Sequence, residues 1–248
     1  MSIDAKTLLS IQNQQLIRAR SIFVYGDFFH DFLKSIGSHV EAKVILVGNS
    51  DVNFDEKPIL PKSTQLLLAQ NASYALSDKF GVLPIGLENI RLGRLGNPKW
   101  YSERTSFVNE LKVLVPPMSP TNIIRKEVLE SPILNNDVFH VYRNYLTEKK
   151  YFALTGKYRF ILALEGNGYE NHRVWESLYQ NSFPVMLETN WSKNIKSLGL
   201  PVLLVRNLSQ ISEPLLKKHL AENKDFSAKA CAKLWTPYWK KMIHEKTI

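Results

Sequence analysis

The chain has 248 residues, 44% hydrophobic and 22% charged, with 32 Lys and Arg against 23 Asp and Glu for a net charge of +9. That length accommodates one large α/β domain or two small ones, and the composition argues against a disordered chain. No apolar run approaches the roughly 20 residues of a membrane-spanning helix, and a lone cysteine, Cys231, excludes an internal disulfide.

The opening residues lack the basic-then-apolar pattern of a secretory leader, and one thiol suits a reducing compartment. A cytoplasmic protein is therefore expected, at most peripheral to the inner face of a membrane.

Short apolar runs alternate with amphipathic stretches, which predicts an α/β fold of two Rossmann-like domains with parallel sheets. In chain order, Ser21–Gly26 reads as a buried strand and Phe28–Ile36 as a helix stopping at Gly37. Ala42–Gly48, Thr64–Asn71 and Phe80–Gly86 read as three more strands. The stretch 87–104 breaks the pattern with Gly93, Gly96, Pro98 and the basic residues Arg91, Arg94, Lys99 and Arg104. It places a domain boundary at 104, between an N-terminal domain over 1–104 and a C-terminal domain over 105–248.

The alternation then restarts. Leu111–Pro117 is a predicted strand, and Pro120-Thr121-Asn122 can cap a helix through Glu130. Asp137–Lys150 has helical period. Tyr158–Leu164 is an apolar strand, Glu165–Gly168 a turn, Asn171–Tyr179 a helix, and Pro184–Leu187 and Pro201–Val205 two strands. From Ser212 the chain reads as helical, with Pro237 as a kink or break.

The chemistry concentrates between Tyr158 and Glu176. Ligands of open parallel sheets sit beyond the carboxyl ends of strands, where Glu165, Gly166, Asn167 and Gly168 fall. Gly166 and Gly168 would let backbone approach a ligand and take positive φ. The helix after them would direct free N–H groups at a phosphate. Arg159, His172 and Arg173 supply cationic donors for a diphosphate, and Glu176, one turn beyond Arg173, can accept from ribose hydroxyls. Taken singly, a G-x-G pair is commonly only a tight turn, and Arg173 with Glu176 could be a surface ion pair. The combination points to a ligand.

On these residues the segment resembles the donor-binding core of exostosin-like glycosyltransferases and related families of GT-B architecture. The matching features are the strand Phe160–Leu164, the turn Glu165–Gly168, Arg173 with Glu176, and Phe183-Pro184-Val185. Asn181-Ser182 stands where that pattern has a small residue such as glycine. The resemblance implies sugar transfer from a nucleotide-sugar donor to a saccharide acceptor, free or lipid-linked, in polysaccharide or glycoconjugate synthesis. It places Arg173 at the diphosphate, Glu176 at the nucleoside and Glu165–Gly168 at the sugar or phosphates. It also implies an acceptor-side domain over 1–104, a nucleotide-sugar-binding domain over 105–248, and a run Phe226–Ile243 that returns to the first domain and buries Trp235 and Trp239.

No Asp-x-Asp motif is present, Asp51-Val52-Asn53 coming nearest, so neither a metal nor a cofactor is expected. An inverting transfer needs a base for the acceptor hydroxyl; Asp51 is favoured over Asp27, each following a strand. From Pro214 to Ile248 eight lysines face three acids, which suits a solvated helix face or a peripheral membrane contact. Two rival readings are a non-catalytic Rossmann-like binding protein and a basic nucleic-acid-binding protein. No nucleic-acid motif supports the second, and nucleic acid is not an expected partner.

Overall fold

The computed structural model describes residues 2–3, 17–36, 39–92, 95–97, 100–101 and 106–247. The predicted features at Gly37, Gly93, Arg94, Pro98, Lys99 and Arg104 lie outside these. The chain forms two units. The first comprises Met1–Ile85, Gly168–Glu170 and Trp235–Ile248; the second comprises Gly86–Asn167 and Asn171–Leu234. The first unit thus ends upstream of residue 104 and takes in two later pieces of chain.

In the first unit β1 (Ser2–Ile3), β2 (Ile17–Tyr25), β3 (Val40–Gly48), β4 (Leu66–Ala69) and β5 (Phe80–Val82) form one parallel sheet in sequence order. β1 is a two-residue addition beside four longer strands. Helix α1 (Phe29–Ile36) follows β2 and buries Phe29 and Phe32. On β3, alternate residues serve opposite faces. Val44 and Leu46 share a face with Leu66 and Leu68, and the final helix, Thr236–Thr247, covers them with Trp239, Met242 and Ile243. Half-buried apolar side chains of this size contribute on the order of 1 kcal/mol each.

That helix is shorter than the predicted run. It starts at Thr236, and Pro237 occupies its first turn, where a missing N–H costs nothing, rather than kinking a longer helix. Trp235 precedes the helix and is exposed rather than buried.

The second unit alternates β6 (Asn109–Val115), α2 (Ile123–Glu130), β7 (Phe139–Val141), α3 (Glu148–Thr155), β8 (Tyr158–Leu162), α4 (His172–Tyr179), β9 (Phe183–Leu187), α5 (Asn190–Ser197), β10 (Leu203–Val205) and α6 (Glu213–Glu222). The final helix is therefore α7. The parallel sheet runs β7-β6-β8-β9-β10. Phe160 pairs with Phe183 and Leu162 with Val185 across β8 and β9, and all four side chains are buried in one core.

The predicted helix over Asp137–Lys150 is corrected. Its first part is strand β7, which pairs with β6 through Val113↔Phe139 and Val115↔Val141, and the helix begins only at Glu148. Phe139, Tyr142 and Leu146 have helical spacing, but an open edge of β6 competes for the β-branched and aromatic start of the run. Both units are α/β with wholly parallel sheets, compatible with Rossmann-like domains. No helix among the described residues is long and apolar enough to cross a membrane.

Candidate functional site

Where the strand order of a parallel sheet reverses, right-handed crossovers send successive helices to opposite faces and leave a crevice at the carboxyl ends of the strands. In the second unit the chain passes from β6 outward to β7, then back across to β8. A cavity of about 350 Å³ is lined by residues following β6, β7 and β8, among them Arg125, Tyr151, Asn171, His172, Arg173 and Glu176. That volume falls at the small end of ligand sites.

Arg125 is placed by the start of α2. The Asn122 side chain accepts from Arg125 N at 2.8 Å, capping the helix, while its amide donates to the carbonyls of Glu165 and Gly166. One cap therefore joins α2 to the loop after β8. The Arg125 guanidinium donates to Leu164 O at 3.2 Å and Ser119 O at 3.4 Å. Burial, and then the charge of Arg173, lower its pKa to about 10, which leaves it cationic at neutral pH.

Arg173, in the first turn of α4, donates through Nη2 to Pro117 O and through Nε to the Tyr151 hydroxyl, both at 3.1 Å. Tyr151 in turn donates to Glu176 Oε2 at 3.2 Å. Burial raises the Tyr151 pKa to about 12, so the hydroxyl keeps the proton this relay needs. Burial also holds Glu176 above the usual carboxylate range, against the opposing pull of Arg173. Both guanidiniums donate to backbone carbonyls, and Arg173 also to a tyrosine hydroxyl. Two guanidiniums thus line one small cavity together with three carboxyl groups, Glu88, Glu148 and Glu176, of which burial favours the neutral form of Glu176.

His172 Nδ1 lies 2.8 Å from Gly86 O, which holds the ring against the cavity wall. Asn171 donates to Leu164 O at 2.8 Å. Arg125 Nε and Asn171 Oδ1 are buried without partners, so polar bonding here is incomplete within the protein alone.

Of the residues expected at the donor, His172, Arg173 and Glu176 come together. Glu165 and Gly166 sit in the adjacent loop, where their carbonyls bond Asn122. Burial raises the Glu165 pKa, and a hydrogen bond from Thr189 pulls it back. Asn167 is exposed. Arg159 does not join them. It lies at the opening end of β8, 4.2 Å over the Phe183 ring and 4.9 Å over Phe107, while the cavity is at the closing end.

Gly168 also does not join them: it belongs to the first unit. A Cβ there would stand 2.8 Å from Asn71 Oδ1 and 2.9 Å from Asp51 O, so close packing demands this glycine. Neither Gly166 nor Gly168 has the expected positive φ; among the described glycines that conformation belongs to Gly86 and Gly199.

Residues Gly168–Glu170 form a polar lock with the first unit. Asn71, left-handed at φ 53°, accepts from Glu170 N at 2.7 Å and donates to Ser50 O at 3.0 Å. The buried Glu170 carboxylate accepts from Ile85 N at 2.8 Å, and Asn53 accepts from Tyr169 N at 2.9 Å. Asp27 and Asp51 are exposed in the same unit, Asp27 accepting from the Ser50 hydroxyl at 2.9 Å.

Sequence reasoning missed Arg125, Tyr151 and Asn122. Asn122 was legible only as a cap, and the others lie on helices whose facing direction depends on strand order. No group of three His, Cys, Asp or Glu among the described residues could hold a metal ion. No protein-family model matches the chain, and no curated protein matches it.

Proposed function

We propose that the chain is an exostosin-like glycosyltransferase of GT-B type, moving a sugar from a nucleotide-sugar donor to a saccharide acceptor. The observation that carries this reading is the pair of guanidiniums, Arg125 buried and Arg173 partly buried, lining the cavity at the strand-order reversal. The donor's diphosphate is the ligand assigned to that charge, with His172 and the free N–H groups of α4 beside it. Guanidinium charge, rather than a metal ion, is the proposed counter-charge for the leaving group.

In the transfer, the bond from the anomeric carbon to the phosphate oxygen breaks and its electron pair leaves with the diphosphate. The acceptor oxygen bonds to that carbon and surrenders its proton. If configuration inverts, a carboxylate takes the proton; Asp51, then Asp27, is assigned on sequence grounds, each exposed after a strand of the first unit.

Calorimetric titration of UDP, GDP, dTDP and CMP tests the reading. One nucleoside diphosphate should bind in preference, its sugar conjugate should be slowly hydrolysed, and Arg173→Ala should cost about 1.5–3 kcal/mol of affinity. Affinity untouched by Arg173→Ala removes the assignment. Binding without any turnover of the sugar conjugate would make the chain a binding protein.

A further inference from the structure

We propose that the opening ends of the first unit's strands form a docking surface for an anionic lipid bilayer. The surface centres on Pro58-Ile59-Leu60-Pro61, the loop entering β4. Ile59 is 95% exposed and Leu60 partly so, with exposed lysines on both sides, Lys57 and Lys62.

The exposure is built in rather than frayed. The base of the loop is fastened to β3: the Ser63 hydroxyl donates to Val40 O at 3.1 Å, and the buried Thr64 hydroxyl donates to Ala42 O at 3.0 Å. Thr64 N closes the turn onto Pro61 O at 3.0 Å. Two prolines and these bonds hold an aliphatic tip in water, which costs free energy unless something apolar receives it.

The charge beside the tip points the same way. The hollow against Ile59 adjoins a second hollow, the two sharing Glu41 and Ser63. The register pairs Ala19 with Ala42 and Ser21 with Val44, which sets Arg20 beside Lys43 on neighbouring strands. Like charges so placed repel. The acid lining both hollows, Glu41, is occupied by Arg18 at 3.0 Å, and the exposed Asp55 and Glu56 lie before Lys57 at the start of the loop. An anionic surface would relieve the repulsion, while lysines flanking an aliphatic tip can keep their ammonium groups at headgroup level.

A nucleic acid fits less well, because among the described residues the two hollows have no aromatic side chain in their lining for a base to stack on. A bilayer here would leave the closing ends of the same strands, with Asp27 and Asp51, open to water. The proposal does not depend on sugar transfer, since vesicle binding is read without turnover.

The test is co-sedimentation of the full chain with vesicles of phosphatidylcholine alone and of phosphatidylcholine with phosphatidylserine. Binding should require phosphatidylserine and weaken with salt. Arg20→Ala with Lys43→Ala should weaken it about 25-fold, about five-fold for each cation. Ile59→Ser, at an exposed position that leaves the fold intact, should weaken it about ten-fold, and Lys240→Ala with Lys241→Ala on α7 should leave it unchanged. Equal binding to both vesicles, or no binding, overturns the proposal. So does charge-dependent binding that ignores Ile59→Ser and is matched by RNA; loss with the α7 variant overturns the location.

Discussion

The two sheets of this protein are both wholly parallel, yet they differ in one topological respect. Strand order in the first advances without reversal, β1 to β5, whereas the second turns back between β7 and β8. At its closing ends the first sheet fills the space with its own chain: Gly168–Glu170 packs onto Asn71, and the amide, carboxylate and backbone groups satisfy one another. The second sheet leaves a cavity there, lined by two guanidiniums and three carboxyl groups. Parallel strands alone do not make a site. The reversal makes the room, and the residues following the flanking strands decide what enters.

The comparison can be broken most forcefully at Asn71. Asn71→Ala should destabilise the first unit by about 4 kcal/mol, read from urea unfolding. It removes two hydrogen bonds, leaves the Glu170 N–H without its acceptor, and puts alanine in a left-handed conformation. A change below about 1 kcal/mol would mean that this corner is not a lock.

A smaller effect is expected at Tyr151. Tyr151→Phe should cost about 1 kcal/mol of diphosphate affinity by releasing Arg173 Nε and Glu176 from their shared hydroxyl. Unchanged affinity in the same titration would reduce Tyr151 to packing.

The smallest effect concerns pH. Because burial raises the Glu176 pKa, the folded chain holds that proton where the unfolded chain has lost it. The stability contribution is complete below the ordinary carboxylate range and is lost as pH rises through the folded value. Glu176→Gln should flatten this fall in thermal-unfolding series, with Glu165, also raised by burial, leaving a residual slope. An identical slope in the variant would show that Glu176 does not titrate in that window.

Much of the fold was legible because buried parallel strands are apolar runs, as in Ala42–Gly48 and Tyr158–Leu164. Helix α5 escaped because Asn190–Ser197 is largely polar; it is held by two buried apolar residues, Trp191 and Ile195, and by the capping box of Thr189 with Ser192. Strand β7 escaped because pairing with β6, not composition, makes it a strand.

Within the candidate site, His172, Arg173 and Glu176 could be read together because helical spacing groups them. Arg125 and Tyr151 could not, since they arrive from separate helices. Arg159 misled because charge was legible while position along the strand was not: it stands between phenyl rings at the wrong end. Gly168 misled for a related reason, as a close approach was correctly anticipated but to Asn71 rather than to a ligand.

The membership of α7 in the first unit bears on how the protein is made. Strands β2 to β5 leave the ribosome early, whereas Trp239, Met242 and Ile243, which cover Val44, Leu46, Leu66 and Leu68, belong to a helix translated only after the second unit. At about 5–20 residues per second, that greasy face waits on the order of ten seconds for its lid. The unit begun first is completed only after the second, and its apolar sheet face is uncovered in that interval.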